Sequence, residues 1–119
     1  MEKVNIEQKL SLFSEHWKPK IAGELNGQYI KLVKFKGAFV WHHHDQEDEM
    51  FFVVKGRFRM EFEDRSEWIE EGEFIVVPRG IEHRPIAEEE AHVLLFEPVS
   101  TLNTGNVEDE LTLPELERI

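Results

Sequence analysis

The chain has no cysteine, so disulfides, thiolate zinc ligands and a thiol nucleophile are excluded. It has no apolar run near the roughly 20 residues that a membrane-spanning helix needs. Basic residues are few: 14 lysines and arginines stand against 25 aspartates and glutamates, for a formal net charge of -11. With a pI near 5.0, that balance repels phosphate backbones and anionic lipid surfaces, so neither nucleic acid nor a membrane is expected as a partner. Met1-Glu2-Lys3-Val4 opens no signal peptide, which points to the cytoplasm. Internal repeats and low-complexity segments are also missing. What is present is enough chain, 119 residues, for one domain with a core of its own. Nine phenylalanines and three tryptophans suit a β structure with an aromatic interior.

Along the chain, Asn5 can cap a short helix in which Ile6, Leu10 and Phe13 recur on one face, with Pro19 as its stop. The period then changes to two. Residues 20–25 and 29–35 read as a hairpin about Asn26-Gly27. Short strands follow over 38–44, 49–54, 57–62, 67–70, 73–77, 81–86 and 91–97, with Gly56, Gly72, Pro78 and Gly80 at the corners and an acidic turn at Glu88–Glu90. Many short strands at this spacing argue an antiparallel barrel or sandwich. Residues 1–19 are therefore expected as an N-terminal helical piece, 20–98 as the barrel, and 99–119 as a turn-rich, acidic and partly ordered tail. Leu111, Leu113, Leu116 and Ile119 are the tail residues able to dock on the barrel or on a neighbouring subunit.

The densest chemistry lies in Trp41-His42-His43-His44-Asp45-Gln46-Glu47-Asp48-Glu49. On a strand, His42 and His44 share one face and His43 takes the other. Two imidazoles on one face beside a carboxylate are a way to build a metal site. Glu49 begins an apolar strand that cannot satisfy an ionised carboxylate without solvent, a cation or donors. A second segment, from Gly72 through Pro78 and Gly80, delivers His83.

These two segments resemble the paired motifs of the cupin family. His42-x-His44, four residues, Glu49, six residues and Gly56 follow the first motif, with Gly37 standing one residue too close; Gly72, Pro78, Gly80 and His83 follow the second, with Ala87 where the family has Asn. The fifteen residues between Gly56 and Gly72 are similar to the compact single-domain microbial cupins. In fold and ligand set alone, small chains of this kind resemble the mannose-6-phosphate isomerase-like cupins. The resemblance implies an all-β, double-stranded β-helix (jelly-roll) barrel with a short N-terminal helix. It implies a metal held by His42, His44, Glu49 and His83. Three imidazoles and one carboxylate suit a divalent transition ion such as Mn, Fe, Ni, Cu or Zn.

Phe51, Met60, Phe74, His92 and Phe96 are expected to line the pocket, His92 if its strand face turns inward. The expected ligand is a small polar molecule of sugar or keto-acid type, bound and converted by isomerase- or dioxygenase-type chemistry. The alternative is a non-catalytic binding or sensing module with a structural or vestigial metal site. Phe39 and Trp41 point away from the ligands and leave an apolar outer face for the N-terminal helix or a second subunit to cover. The resemblance to small cupins, which form dimers, implies a homodimer.

Overall fold

The protein is described by a computed structural model that covers residues 1–119. One helix, α1 (Ile6–Leu10), precedes seven strands: β1 (Lys20–Leu25), β2 (Gln28–Ala38), β3 (Glu49–Lys55), β4 (Phe58–Phe62), β5 (Ser66–Ile69), β6 (Phe74–Val77) and β7 (His83–Pro98). All strand pairs are antiparallel, in the order β1-β2-β7-β3-β6, with β4 joining β5 to the first half of β7. No helix is long and apolar enough to cross a membrane.

The long strand β7 unites the barrel. Its beginning pairs with β4 (Phe62↔His83) and its end with β3 and β2 (Met50↔Phe96, Ile30↔Phe96). The expected acidic turn at Glu88–Glu90 is instead the exposed middle of this continuous strand. Its pairing with β2 shifts register there, between Phe35 and Gly37, so the charges point to solvent without a reversal of the chain. The Asn26-Gly27 hairpin forms as expected. Both residues have positive φ, 48° and 76°, which a tight primed turn requires.

The side-chain period of two sorts residues cleanly. His83, Pro85, Ala87, Ala91, Val93, Leu95 and Glu97 of β7 are buried, as are Glu49, Phe51 and Val53 of β3. The interior is aromatic: Trp17 stacks on Phe35 and Phe39, and Phe58 meets Phe35 edge-on. Outside, Leu10 and Phe13 cover Leu32. Asn5 caps α1 by accepting from the Gln8 N–H at 2.9 Å. The helix ends at Ser11, short of the expected Pro19; the Ser11 hydroxyl donates back to the Gln8 carbonyl, a local alternative to helix propagation.

Residues 99–119 carry no regular strand, but they wrap the barrel. Arg118 bridges to Ile21, Leu111 packs on the main core, and Ile119 joins the cluster under α1.

Candidate metal centre

The backbone brings the four residues together before any side chain is considered. His42 and His83 exchange both N–H···O bonds (3.1 and 2.9 Å), which sets their rings side by side with centroids 4.4 Å apart. The Gly80 N–H donates to the His44 carbonyl at 2.7 Å, and the Arg79 N–H donates to the Asp48 carboxylate at 2.9 Å. These bonds tie the 42–48 segment to the Pro78–Gly80 turn. Residues 39–48 hold only this isolated bridge and not the expected regular strand. Parity therefore fails for Phe39. It is buried, stacks on Trp17 and meets the His42 ring, whereas Trp41 stays partly exposed beneath the Arg84 guanidinium.

One donor atom from each of His42, His44, Glu49 and His83 lies within 4.8 Å of every other, and all four residues are buried. His42 Nδ1 lies 2.9 Å from the Val40 carbonyl and His83 Nδ1 2.7 Å from the Ile81 carbonyl. A carbonyl can only accept, so these Nδ1 atoms carry the protons and each Nε2 presents a lone pair inward. His44 Nε2 and His83 Nε2 stand 2.9 and 3.2 Å from Glu49 Oε1. None of the three atoms makes a hydrogen bond of acceptable geometry, although all are buried. Buried polar atoms are rarely left unpaired. Two ligands about 2.1 Å from an ion and at right angles to it lie about 3.0 Å apart, which is the spacing seen here. The cluster is compatible with a metal ion.

The electrostatics agree. Burial, and then the neighbouring His83 charge, push His42 down to about 4, so its ring is neutral near pH 7. Burial pushes the Glu49 carboxyl up, but the His44 and His83 imidazoles beside it outweigh that and hold it well below the usual range. The donor set is therefore two oriented imidazoles, of which His42 is neutral, a third ring and an ionised carboxylate.

Next to the cluster is a cavity of about 30 Å³, room for about two water molecules. His42 and Glu49 form its polar side with Glu97 and Asn103, and Trp17, Phe35, Phe39, Phe51 and Leu95 its apolar side. Of the expected lining residues, Phe51 is there. Met60 is fully buried in the core elsewhere. Phe74, His92 and Phe96 are not in the chamber. Phe74 is 62 % exposed, because Val77 and Ile75 are the residues of β6 that turn inward. His92 and Phe96 lie on the outer face of β7, where His92 Nε2 bonds Glu90 at 3.0 Å. Both faces of residues 91–97 are apolar enough to be inward, so period alone could not choose between them.

Sequence reasoning missed Glu97 and Lys31, both inside the barrel with Lys31 Nζ 3.0 Å from Glu97 Oε1. Burial, and then the Glu49 charge, push the Glu97 carboxyl well up, against the pull of Lys31. It also missed Gly105 and Asn106. Asn106 accepts from the His43 N–H at 2.8 Å and donates its own N–H to the His43 carbonyl at 3.0 Å. A Cβ on Gly105 would lie 2.2 Å from that carbonyl, so only glycine lets the tail press on the histidine segment. The His43 ring faces the surface, between Glu82 and Asp45.

A model of the Cupin domain (Cupin_2) matches residues 31–97, a stretch that contains all four cluster residues. A cupin-2 domain containing protein from Shewanella frigidimarina is similar at 42 % identity and a TM-score of 0.79, covering 80 % of this chain and 93 % of that one. Protein NMB1881 from Neisseria meningitidis is similar at 37 % identity and 0.76, covering 82 % and 99 %. Uncharacterized protein YdbB from Bacillus subtilis is 32 % identical over 62 residues, 51 % of this chain; the chain thus matches about half (55 %) of that relative's length. With the Cupin domain spanning more than half of its residues and both motifs folded around one buried cluster, this chain belongs to the cupin family, as a small single-domain member.

Proposed function

We propose that His42, His44, Glu49 and His83 hold a divalent transition ion, and that the protein binds and acts on a small oxygen-bearing molecule at that ion. The observation that carries this reading is the convergence of three buried, unpaired donor atoms, His44 Nε2, His83 Nε2 and Glu49 Oε1. Bound there, the ion would supply a Lewis acid and open positions for an oxygen ligand. The residues do the rest: the Val40 and Ile81 carbonyls fix two imidazoles, and the aromatic wall keeps bulk water out.

The chamber favours the chelating end of a keto or hydroxy acid over a whole sugar, since it has room for only a few atoms. It offers a phosphate no cation: no lysine or arginine lines it, and Lys31 behind it is taken by Glu97. Elemental analysis of the purified protein beside a His42→Ala/His83→Ala variant tests the metal; unchanged content in the variant would sink the assignment. A panel of keto acids, hydroxy acids and sugars then separates turnover, expected for small acids, from the binding without turnover of a sensing module.

The same reading includes a homodimer, built on a different surface from the one suggested by Phe39 and Trp41. Met50, Phe52, Phe74, Val76 and Phe96 project from three neighbouring strands in register (Met50↔Phe96, Met50↔Val76, Phe52↔Phe74). This patch has no charge within it, the kind of surface a second copy covers. Phe74→Glu/Val76→Lys is expected to give a monomer in sedimentation. A wild-type mass matching one chain would refute the dimer.

A further inference from the structure

Beyond His42 and Glu49, two polar side chains line the chamber: Asn103, whose amide is taken by the Leu111 carbonyl and the Leu113 N–H, and Glu97, which has no assigned task. Glu97 is 2 % exposed, on the inward face of β7 beside Glu49. Its Oε1 is held by Lys31 Nζ at 3.0 Å, itself 1 % exposed. Its Oε2 is buried and has no hydrogen-bond partner. With Glu49 bound to an ion its charge no longer opposes ionisation of Glu97, and Lys31 favours the carboxylate; such an oxygen in an apolar chamber without a donor is costly. Two polar residues in a small aromatic barrel are also poor packing, since an apolar pair of similar size would be as stable or more so. Lys31 fixes the rotamer and leaves one oxygen for the cavity that His42, Glu49 and Glu97 share.

We propose that Glu97, braced by Lys31, is the specificity residue of the chamber: its free oxygen accepts a hydrogen bond from a small ligand seated on the metal centre. The inference rests on the metal reading above and adds the ligand's chemistry. The ligand is a molecule of a few heavy atoms that offers the ion an oxygen or nitrogen and presents an adjacent O–H or N–H to Glu97. A 2-hydroxy acid end meets this description, and an ether or a bare anion does not.

Cobalt(II) substitution makes binding visible in the visible spectrum. Hydroxylamine, which has a donor, and azide, which has none, are the probes. In Glu97→Gln the only acceptor left is the amide oxygen, and Lys31 claims it. The amide NH₂ then faces the chamber. We expect hydroxylamine to weaken about tenfold and azide to tighten, the loss and gain of one hydrogen bond involving a charged group. In Lys31→Met/Glu97→Leu, which removes both charges and leaves neither buried alone, hydroxylamine weakens similarly and azide stays within about twofold. If both probes move in the same direction, or neither moves, Glu97 does not contact the ligand. If only cobalt affinity falls, Glu97 acts on Glu49 alone and the proposal is overturned. Absence of any cobalt spectrum in the wild-type protein would instead overturn the metal reading, and this inference with it.

Discussion

Glu49 inside the barrel and Glu90 on its surface are each flanked by two imidazole nitrogens at nearly equal distances. His44 and His83 stand 2.9 and 3.2 Å from Glu49, and His16 and His92 stand 2.7 and 3.0 Å from Glu90. The surroundings differ. The inner side chains are at most 5 % exposed, while His16, His92 and Glu90 are 35, 17 and 41 % exposed. The outer contacts are hydrogen bonds, and the inner atoms face one another without bonding. Proximity of histidine to carboxylate is thus a weak sign of a metal site. What distinguishes the inner set is that its donor atoms are buried and unpaired, the His83 ring is fixed from behind by the Ile81 carbonyl, and a fourth residue, His42, held by the Val40 carbonyl, joins them.

The comparison can be broken in several ways. The largest effect should come from His83→Ala, expected to lower zinc affinity by about 10³-fold, beyond the 10- to 100-fold typical of a supporting residue. Competition with a chromophoric chelator measures it, and His16→Ala/His92→Ala should change nothing in that assay. The next effect is on pH. His42 binds its proton near 6.5 when unfolded but only at about 4 when folded, so between these values the unfolded chain holds more protons. Metal-free stability should therefore be full above about pH 6.5 and fall by up to about 3 kcal/mol as pH drops to about 4. Urea midpoints across that range report it, and His42→Leu should flatten the profile. Third, Gly105→Ala forces a Cβ onto the His43 carbonyl at a φ of 57°. It should cost about 2 kcal/mol and loosen metal binding through the histidine segment. Smallest is His16→Ala/His92→Ala, which should cost less than about 1 kcal/mol because the outer contacts are solvent-screened.

Much of the inner set was legible in the sequence. The HxH spacing, the misplaced charge of Glu49 at the head of an apolar strand, and His83 after a proline-glycine turn all led to it. The hairpin at Asn26-Gly27 was legible for the same reason, that local chemistry decides it. Contacts across the barrel were not. Glu97 and Lys31 look like ordinary surface charges until β2 and β7 are closed on each other. His92 and Phe96 looked inward because both faces of their strand are apolar. Phe39 defied strand parity because its segment is held by one bridge and by the tail. Nothing local in Gly105-Asn106 announces that it pairs with a histidine sixty residues earlier.

The most direct test of the difference between the two sets is long-range ¹H–¹⁵N NMR of the histidine rings during zinc titration. The structure predicts that His42 and His83 start as Nδ1–H tautomers, and that the Nε2 signals of His42, His44 and His83 shift together and saturate at one ion per chain. His16, His43 and His92 should not move. Shifts at His16 and His92 first, or Nδ1–H loss at His42 or His83, would contradict it.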